Sequence, residues 1–213
     1  ALPGAEGARL LALQYQFAQS ERWSPAELRE AQFAQLNFLL KHAKSTVPFY
    51  RERLAGIATD RPLDAAAFAQ IPLLRRQDIQ ENFEALVSRA LPPDHGAVQE
   101  GNTSGSTGRP IRFMATALTE VFWHAFTLRE HLWQHRDFSG KLAAIRARVT
   151  PGASVGWGAS TASVFRTGPS EMCNTERPIA EQAQWLMQQN PDYLISVASN
   201  VQALARYCGQ RGL

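Results

Sequence analysis

Asn102-Thr103-Ser104-Gly105-Ser106-Thr107-Gly108-Arg109-Pro110 is the stretch on which the reading of this chain turns. Its glycines let the backbone enter conformations that other residues avoid, so that successive amide N–H groups converge on an anion. Its hydroxyl side chains add donors without bulk. A short strand over residues 97–100 leads in, and the apolar run Ile111 to Met114 leads out. The segment therefore predicts a phosphate cradle hung between two strands. It does not end in Gly-Lys-Ser or Gly-Lys-Thr, so it is not a Walker A loop, and the absence of G-x-G-x-x-G excludes a dinucleotide fingerprint here. Two other readings compete on composition. One is a flexible Gly/Ser linker. The other is a GxxG clamp, Gly105-Ser106-Thr107-Gly108, of the nucleic-acid-binding kind. That clamp requires helices on both sides, where this sequence offers strands.

Upstream of the loop the pattern is helical. Ser24-Pro25-Ala26-Glu27 starts a helix with a cap, a proline in the first turn and a capping-box glutamate. Leu28, Leu36, Leu39, Leu40 and Ala43 then share a face, until Val47-Pro48 breaks the helix. Short helices follow, one capped by Asp64 and one over residues 76–83. Downstream, Thr116 caps a long helix reaching about His135, residues 142–149 form a strand, and residues 150–176 are mostly loop. A helix over residues 178–189, a strand over 193–197 and a last helix capped by Ser199 or Asn200 and ending at Gly209 complete the chain. The expected fold class is α/β: a helical N-terminal region (residues 1–95), then part of a layered α-β-α, mostly parallel sheet (residues 96–213).

Composition agrees with a packed globular protein. Of 213 residues, 45% are hydrophobic and 19% charged, with a net charge of +3. The basic residues are scattered, so no nucleic-acid surface is expected. No apolar run approaches the roughly 18 residues of a membrane span, so no membrane partner is expected. Gln14 and Gln16 interrupt the apolar residues near the N-terminus, against a signal peptide. Cys173 and Cys208 stand alone and read as free thiols in a reducing, cytoplasmic compartment.

Thr103-Ser104-Gly105-Ser106-Thr107-Gly108-Arg109-Pro110 resembles the phosphate-loop motif of the acyl-adenylate-forming superfamily. Flanking segments resemble its phenylacetate–CoA ligase-like branch, which includes coenzyme F-390 synthetases and CapK-like proteins. They are Leu40-Lys41-His42-Ala43 through Val47-Pro48-Phe49-Tyr50, then Ile71-Pro72-Leu73-Leu74 with Arg76 to Ile79, and later Asn190-Pro191-Asp192-Tyr193-Leu194 with Ser199 and Leu204-Ala205. The resemblance covers residues 33–208 in order.

It implies an ATP-dependent, AMP-forming ligase that activates a small carboxylate, an aryl or related acid, as an acyl-adenylate and passes it to a thiol such as coenzyme A. By the same resemblance, Thr103, Ser104, Gly105, Ser106, Thr107, Gly108 and Arg109 hold the β- and γ-phosphates, with Mg²⁺ sharing their charge. The commonest superfamily form has lysine after the proline. Here Ile111 and Arg112 follow, so Arg109 or Arg112 supplies the cation. Trp157 and Ser199 are the candidates for the acyl pocket, Ser199 standing equally as a helix cap. The superfamily's aromatic-Gly-x-Thr-Glu segment, ribose aspartate and catalytic lysine have no counterpart here. Thr175-Glu176 follows Cys173-Asn174 and lies in the wrong order. The resemblance thus implies an N-terminal portion that does not adenylate alone. A non-catalytic module of the same descent and an adenylyltransferase acting on a deazaflavin are the alternatives. Self-association through an open strand edge, as a homodimer or larger, is also expected.

His131 and His135 have the i, i+4 spacing of a zinc pair on the predicted helix, but without the glutamate of a metalloprotease, so a hydrogen-bonded or solvated face is expected. Trp123, Trp133 and Trp185 read as core.

Overall fold

The computed structural model describes residues 3–103, 108–154 and 156–213. They pack as two compact units, one of residues 15–122 and one of residues 1–14 with 123–213. The boundaries fall inside α1 (Ala5–Ser20) and inside α7 (Ala117–Trp133).

In the unit of residues 15–122, α2 (Pro25–Thr46) begins as the sequence predicts. Glu27 N–H donates to Ser24 Oγ, and Ser24 N–H donates to the Glu27 carboxylate at 2.7 Å. Its buried residues Leu40 and Ala43 join Val47, Leu54, Ile57 and Leu63 in one core cluster, with Phe33 and Leu36 packed against it. Leu28 and Leu39, expected on the same face, are exposed. The buried stripe instead follows Phe33, Leu36, Leu40, Ala43 and Val47, three or four residues apart. Leu54, 1% exposed, contributes about 1.5–3 kcal/mol to this core through its burial alone. The short helices α3 (Pro48–Arg53), α4 (Ala65–Ala69), α5 (Arg76–Glu81) and α6 (Phe83–Leu86) follow. The Asp64 carboxylate caps α4, accepting from Ala67 N–H.

The strands flanking the glycine-rich loop are β1 (Val98–Asn102) and β2 (Arg112–Thr116). They pair antiparallel with each other as a separate two-stranded sheet, rather than entering a parallel layer as the alternation of elements suggested. Thr116 ends β2 and caps α7, its hydroxyl accepting from Thr119 N–H.

The other unit holds a four-stranded sheet of order β4-β5-β3-β6. These are β3 (Leu142–Arg146), β4 (Gly152–Ser154), β5 (Ser170–Asn174) and β6 (Tyr193–Ser196). β3 pairs parallel with β5 and with β6, while β4 lies antiparallel on β5. Strand β4, α8 (Ala159–Ala162) and β5 all lie in the stretch expected to be mostly loop. β5 is polar in sequence, Ser-Glu-Met-Cys-Asn, and owes its form to pairing along the whole of β3. Cys173 is fully buried there with Ile145, Ala183 and Leu204.

Helix α9 (Ile179–Gln189) crosses from β5 to β6 and ends at Asn190 in the left-handed region. Helix α10 (Ala198–Arg211) starts after Val197 with no side-chain cap, so neither Ser199 nor Asn200 fills that role. Asn200 instead donates to the buried Gln182 side chain, whose amide donates to the carbonyls of Thr175 and Arg177. Helix α10 runs past Gly209 and stops at Gly212, φ 65°. In α1, buried Gln14 donates to the Ala125 carbonyl of α7 at 2.8 Å, a compensated burial for a residue that reads as surface in sequence. Cys173 and Cys208 are free thiols. Among the described residues no helix is long and apolar enough to cross a membrane.

Candidate functional site

The loop hangs from the β1–β2 hairpin. Asn102 and Arg112 are the last pair of the ladder. One further rung closes the base: Thr103 N–H donates to the Ile111 carbonyl at 2.9 Å, and Ile111 N–H donates to Thr103 Oγ1 at 3.0 Å. The Thr103 side-chain oxygen thus takes the place of a ladder carbonyl, and its hydroxyl proton remains for a ligand. Ser104, Gly105, Ser106 and Thr107, which the sequence places at the centre of the cradle, lie outside the described residues. Gly108 has φ 126°, a conformation that a side chain disfavours.

The exit of the loop is pinned from α5. The Arg109 carbonyl accepts from Arg76 Nη2 at 3.0 Å and from the Gln80 side-chain amide. Helix α5 is itself tied to α3 by the ion pair of Arg53 and Asp78 at 3.2 Å. Gln80, Asn82, Glu84, Arg109, Pro110 and Arg112 line a polar cavity of about 360 Å³ at this end of the hairpin.

The two arginines that sequence left open as phosphate partners differ sharply in their surroundings. Arg112 is spent. Its guanidinium makes two bonds to the Glu100 carboxylate, at 2.7 and 3.0 Å, with Glu84 at 3.5 Å and its face 3.8 Å from the centre of the Phe83 ring. Hydrogen bonding from Arg112 holds the Glu100 carboxyl below its ordinary range, and the same bond holds the Arg112 proton more tightly. The Arg109 side chain is exposed and makes no ion pair or hydrogen bond among the described residues. A guanidinium in such surroundings can grip a phosphate group as a fork.

The two acyl-pocket candidates lie in the other unit, at opposite ends of β6, and the structure does not bring them together there. Trp157 packs among aromatic side chains, its ring centre 5.3 Å from that of Tyr193, the first residue of β6. It also meets His131 and Phe138, and its indole N–H donates to the Gly140 carbonyl at 3.0 Å. Ser199 is exposed in the first turn of α10, beyond the other end of that strand.

The predicted histidine face is divided. His131 is buried in α7, and Arg136 donates to its Nδ1 at 2.8 Å. A guanidinium only donates, so that nitrogen accepts and the ring is neutral with its proton on Nε2. Burial, and then the Arg136 charge, lower its pKa. His135 lies beyond the end of α7 at φ 48°, off the helical face. Among the described residues no group of three or more His, Cys, Asp or Glu side chains converges as a metal site. Trp123 and Trp133, expected in the core, are 73% and 60% exposed, while Trp185 packs against the cluster around Ile145.

Sequence reasoning missed Arg76, Gln80, Glu84 and Glu100, the residues that fix the loop exit and separate the two arginines. Arg76 opens a segment that carries the family resemblance without a role of its own, the other three sit in no motif, and each acts over a distance in the chain that spacing does not reveal.

The fold defines a class: a mixed α/β architecture that part of a CoA ligase of known structure shares. Structures of 2-hydroxyisobutyryl-CoA ligase are among those that match. In complex with 2-HIB-AMP and CoA in the thioesterification state, it matches 100% of this chain with 22% identity and a TM-score of 0.64. An open conformation with the same ligands matches 89% at 21% identity and 0.59. The postadenylation state with R3-HIB-AMP matches 100% at 22% and 0.63. This chain spans 44–45% of the length of those structures. No family model and no curated protein matches it.

Proposed function

We propose that this chain is the N-terminal portion of an ATP-dependent, AMP-forming ligase. It activates a small carboxylic acid as an acyl-adenylate for transfer to a thiol such as coenzyme A. The observation that carries this reading is the base of the loop: a hydroxyl-rich segment closed by Thr103 and Ile111, with Arg109 held at its exit and its guanidinium unpaired among the described residues. The likeness in fold to a CoA ligase supports it. In this reading Thr103 to Gly108 and Arg109 hold the β- and γ-phosphates, and Mg²⁺ arrives with the nucleotide, as it commonly binds through phosphates and water. The phenylacetate–CoA ligase-like branch and an aryl acid are the proposed relatives and substrate, on the flanking segments that resemble that branch. A cytoplasmic setting fits the free thiols Cys173 and Cys208.

The test is calorimetric titration of the chain with Mg²⁺-ATP and with tripolyphosphate. Arg109→Ala is expected to weaken both about tenfold, the scale of a lost charge-assisted contact. Arg112→Ala is expected to lower thermal stability and leave the affinity of the folded protein within about threefold, below the scale of one such contact. Equal affinity in the Arg109→Ala and unmodified proteins would count against the reading. ATP–pyrophosphate exchange with a panel of aryl and aliphatic acids is expected to show no turnover by this chain alone. Clear turnover would show that the adenine, ribose and lysine motifs are dispensable.

A further inference from the structure

A second cavity, separate from the loop, lies between α3, α5, α6 and the face of the β1–β2 hairpin. We propose that it binds an uncharged, largely apolar small molecule of two-ring size carrying one hydrogen-bonding group. The inference does not rest on the nucleotide reading.

Its walls include Tyr50, Ile79, Phe83, Leu86, Phe113 and Met114, and its volume is about 360 Å³. Small-molecule sites begin at roughly 300 Å³ and are mostly apolar. An apolar cavity of about 150 Å³ holds one benzene ring, so this one has room for roughly two. Phe113 and Met114 stand 46% and 41% exposed, apolar surface that a ligand would remove from water.

The charge around the cavity selects against an anion. Arg112, the cation on its wall, is already matched by Glu100 and faces a second carboxylate, Glu84. No surplus positive charge remains for a carboxylate or phosphate. The hydroxyl groups on the wall are also largely committed. Ser88 donates to the Ala90 carbonyl at 2.9 Å and lies 3.0 Å from Thr46 Oγ1, and Thr116 lies 3.1 Å from the Thr119 hydroxyl. Tyr50 also lines the cavity, and its hydroxyl has no hydrogen-bond partner among the described residues. One polar group on the ligand therefore has one unspent partner, and burial keeps that phenol protonated, its pKa raised.

The experiment uses the full 213-residue chain and 2-naphthol, which is uncharged at neutral pH, followed by calorimetry without nucleotide. Saturable binding at one site is expected. Met114→Trp fills the cavity and is expected to weaken binding at least tenfold. Should that variant fail to fold by circular dichroism, Val98→Trp, on the same hairpin and exposed, makes the same test. Tyr50→Phe is expected to weaken 2-naphthol about threefold to tenfold, the range of one hydrogen bond, and to leave naphthalene unchanged. 2-Naphthoate is expected to bind at least tenfold more weakly than 2-naphthol. Absence of saturable binding overturns the proposal, as does undiminished affinity in a folded cavity-filling variant or tighter binding of 2-naphthoate. An equal effect of Tyr50→Phe on naphthalene and 2-naphthol overturns the hydrogen bond.

Discussion

A methyl group at Gly168 would stand 2.3 Å from the Ser139 carbonyl oxygen and 2.4 Å from that of Gly140. Both obstacles are backbone, and the turn that carries them is tied down. Gly168 N–H donates to Phe138 O, and the Asp137 carboxylate accepts from the Ser139 N–H and hydroxyl, which holds its pKa low. The neighbours have little freedom to yield, so Gly168→Ala is expected to destabilise the protein by about 1–3 kcal/mol, the scale of an overpacked core site. The midpoint of urea unfolding measures it, and a midpoint equal to that of the unmodified protein would show that the turn gives way. At Gly108 an added methyl group meets nothing among the described residues, and the obstacle there is φ. The same substitution there costs backbone strain in the loop and leaves the packing of the unit intact. The two glycines look alike in sequence and differ because one is limited by neighbours and the other by its own torsion.

Among the elements, α7 carries a titration that couples pH to folding. His131 is neutral in the fold, packed on Phe138 and Trp157, with Arg136 on Nδ1 and Glu130 on the far side of that guanidinium. Its pKa is lowered first by burial and then by the Arg136 charge, with Glu130 opposing. The unfolded chain takes up a proton at this residue near pH 6.5, where the folded chain does not. The unfolded state then binds more protons, so the stabilising contribution is complete above about pH 6.5 and is lost as pH falls below it. Denaturant midpoints measured from pH 7.5 down to 5.5 are expected to decline, and His131→Gln, which keeps an acceptor and cannot titrate, is expected to flatten that decline. Identical slopes for the two proteins would remove His131 as the cause.

The same scale shows what sequence can carry. The start of α2 was legible because Ser24, Pro25 and Glu27 act on one another within a single turn. Strand β2 was legible because its apolar Phe113, Met114 and Ala115 adjoin a breaker-rich stretch. Strand β5 was not, since Ser170 to Asn174 has no strand-like composition and takes its form from β3, a partner set by tertiary pairing. The distinction between Arg109 and Arg112 was hidden for the same reason. It depends on Glu84, Glu100, Arg76 and Gln80, and only the fold brings these together.

At the scale of the molecule, the sheet order leaves two edges, β4 and β6, and they are not equivalent. β4 is three residues long, follows Pro151 and opens on Gly152 at φ 145°, features that blunt an edge. β6 reads Tyr-Leu-Ile-Ser, without lysine or proline in the strand, and pairs on one side with β3. Apolar surface lies on and beyond it: Leu194 within the strand is 38% exposed, and Val197 and Val201 after it are 55% and 40% exposed. Unpaired N–H and C=O groups beside exposed apolar side chains form a template for another strand, and a second copy supplies one of matching length. In antiparallel pairing about a two-fold axis, the strand meets its own neutral sequence with no like charges opposed. We therefore predict association to a dimer or larger species at high micromolar concentration, read as the mass from light scattering. Leu194→Lys places a charge at the edge, a natural device against such pairing, and is expected to return the protein to a monomer with its circular dichroism unchanged. A monomer alone in the unmodified protein at those concentrations would refute association. A dimer that survives the lysine would move it to a surface other than β6.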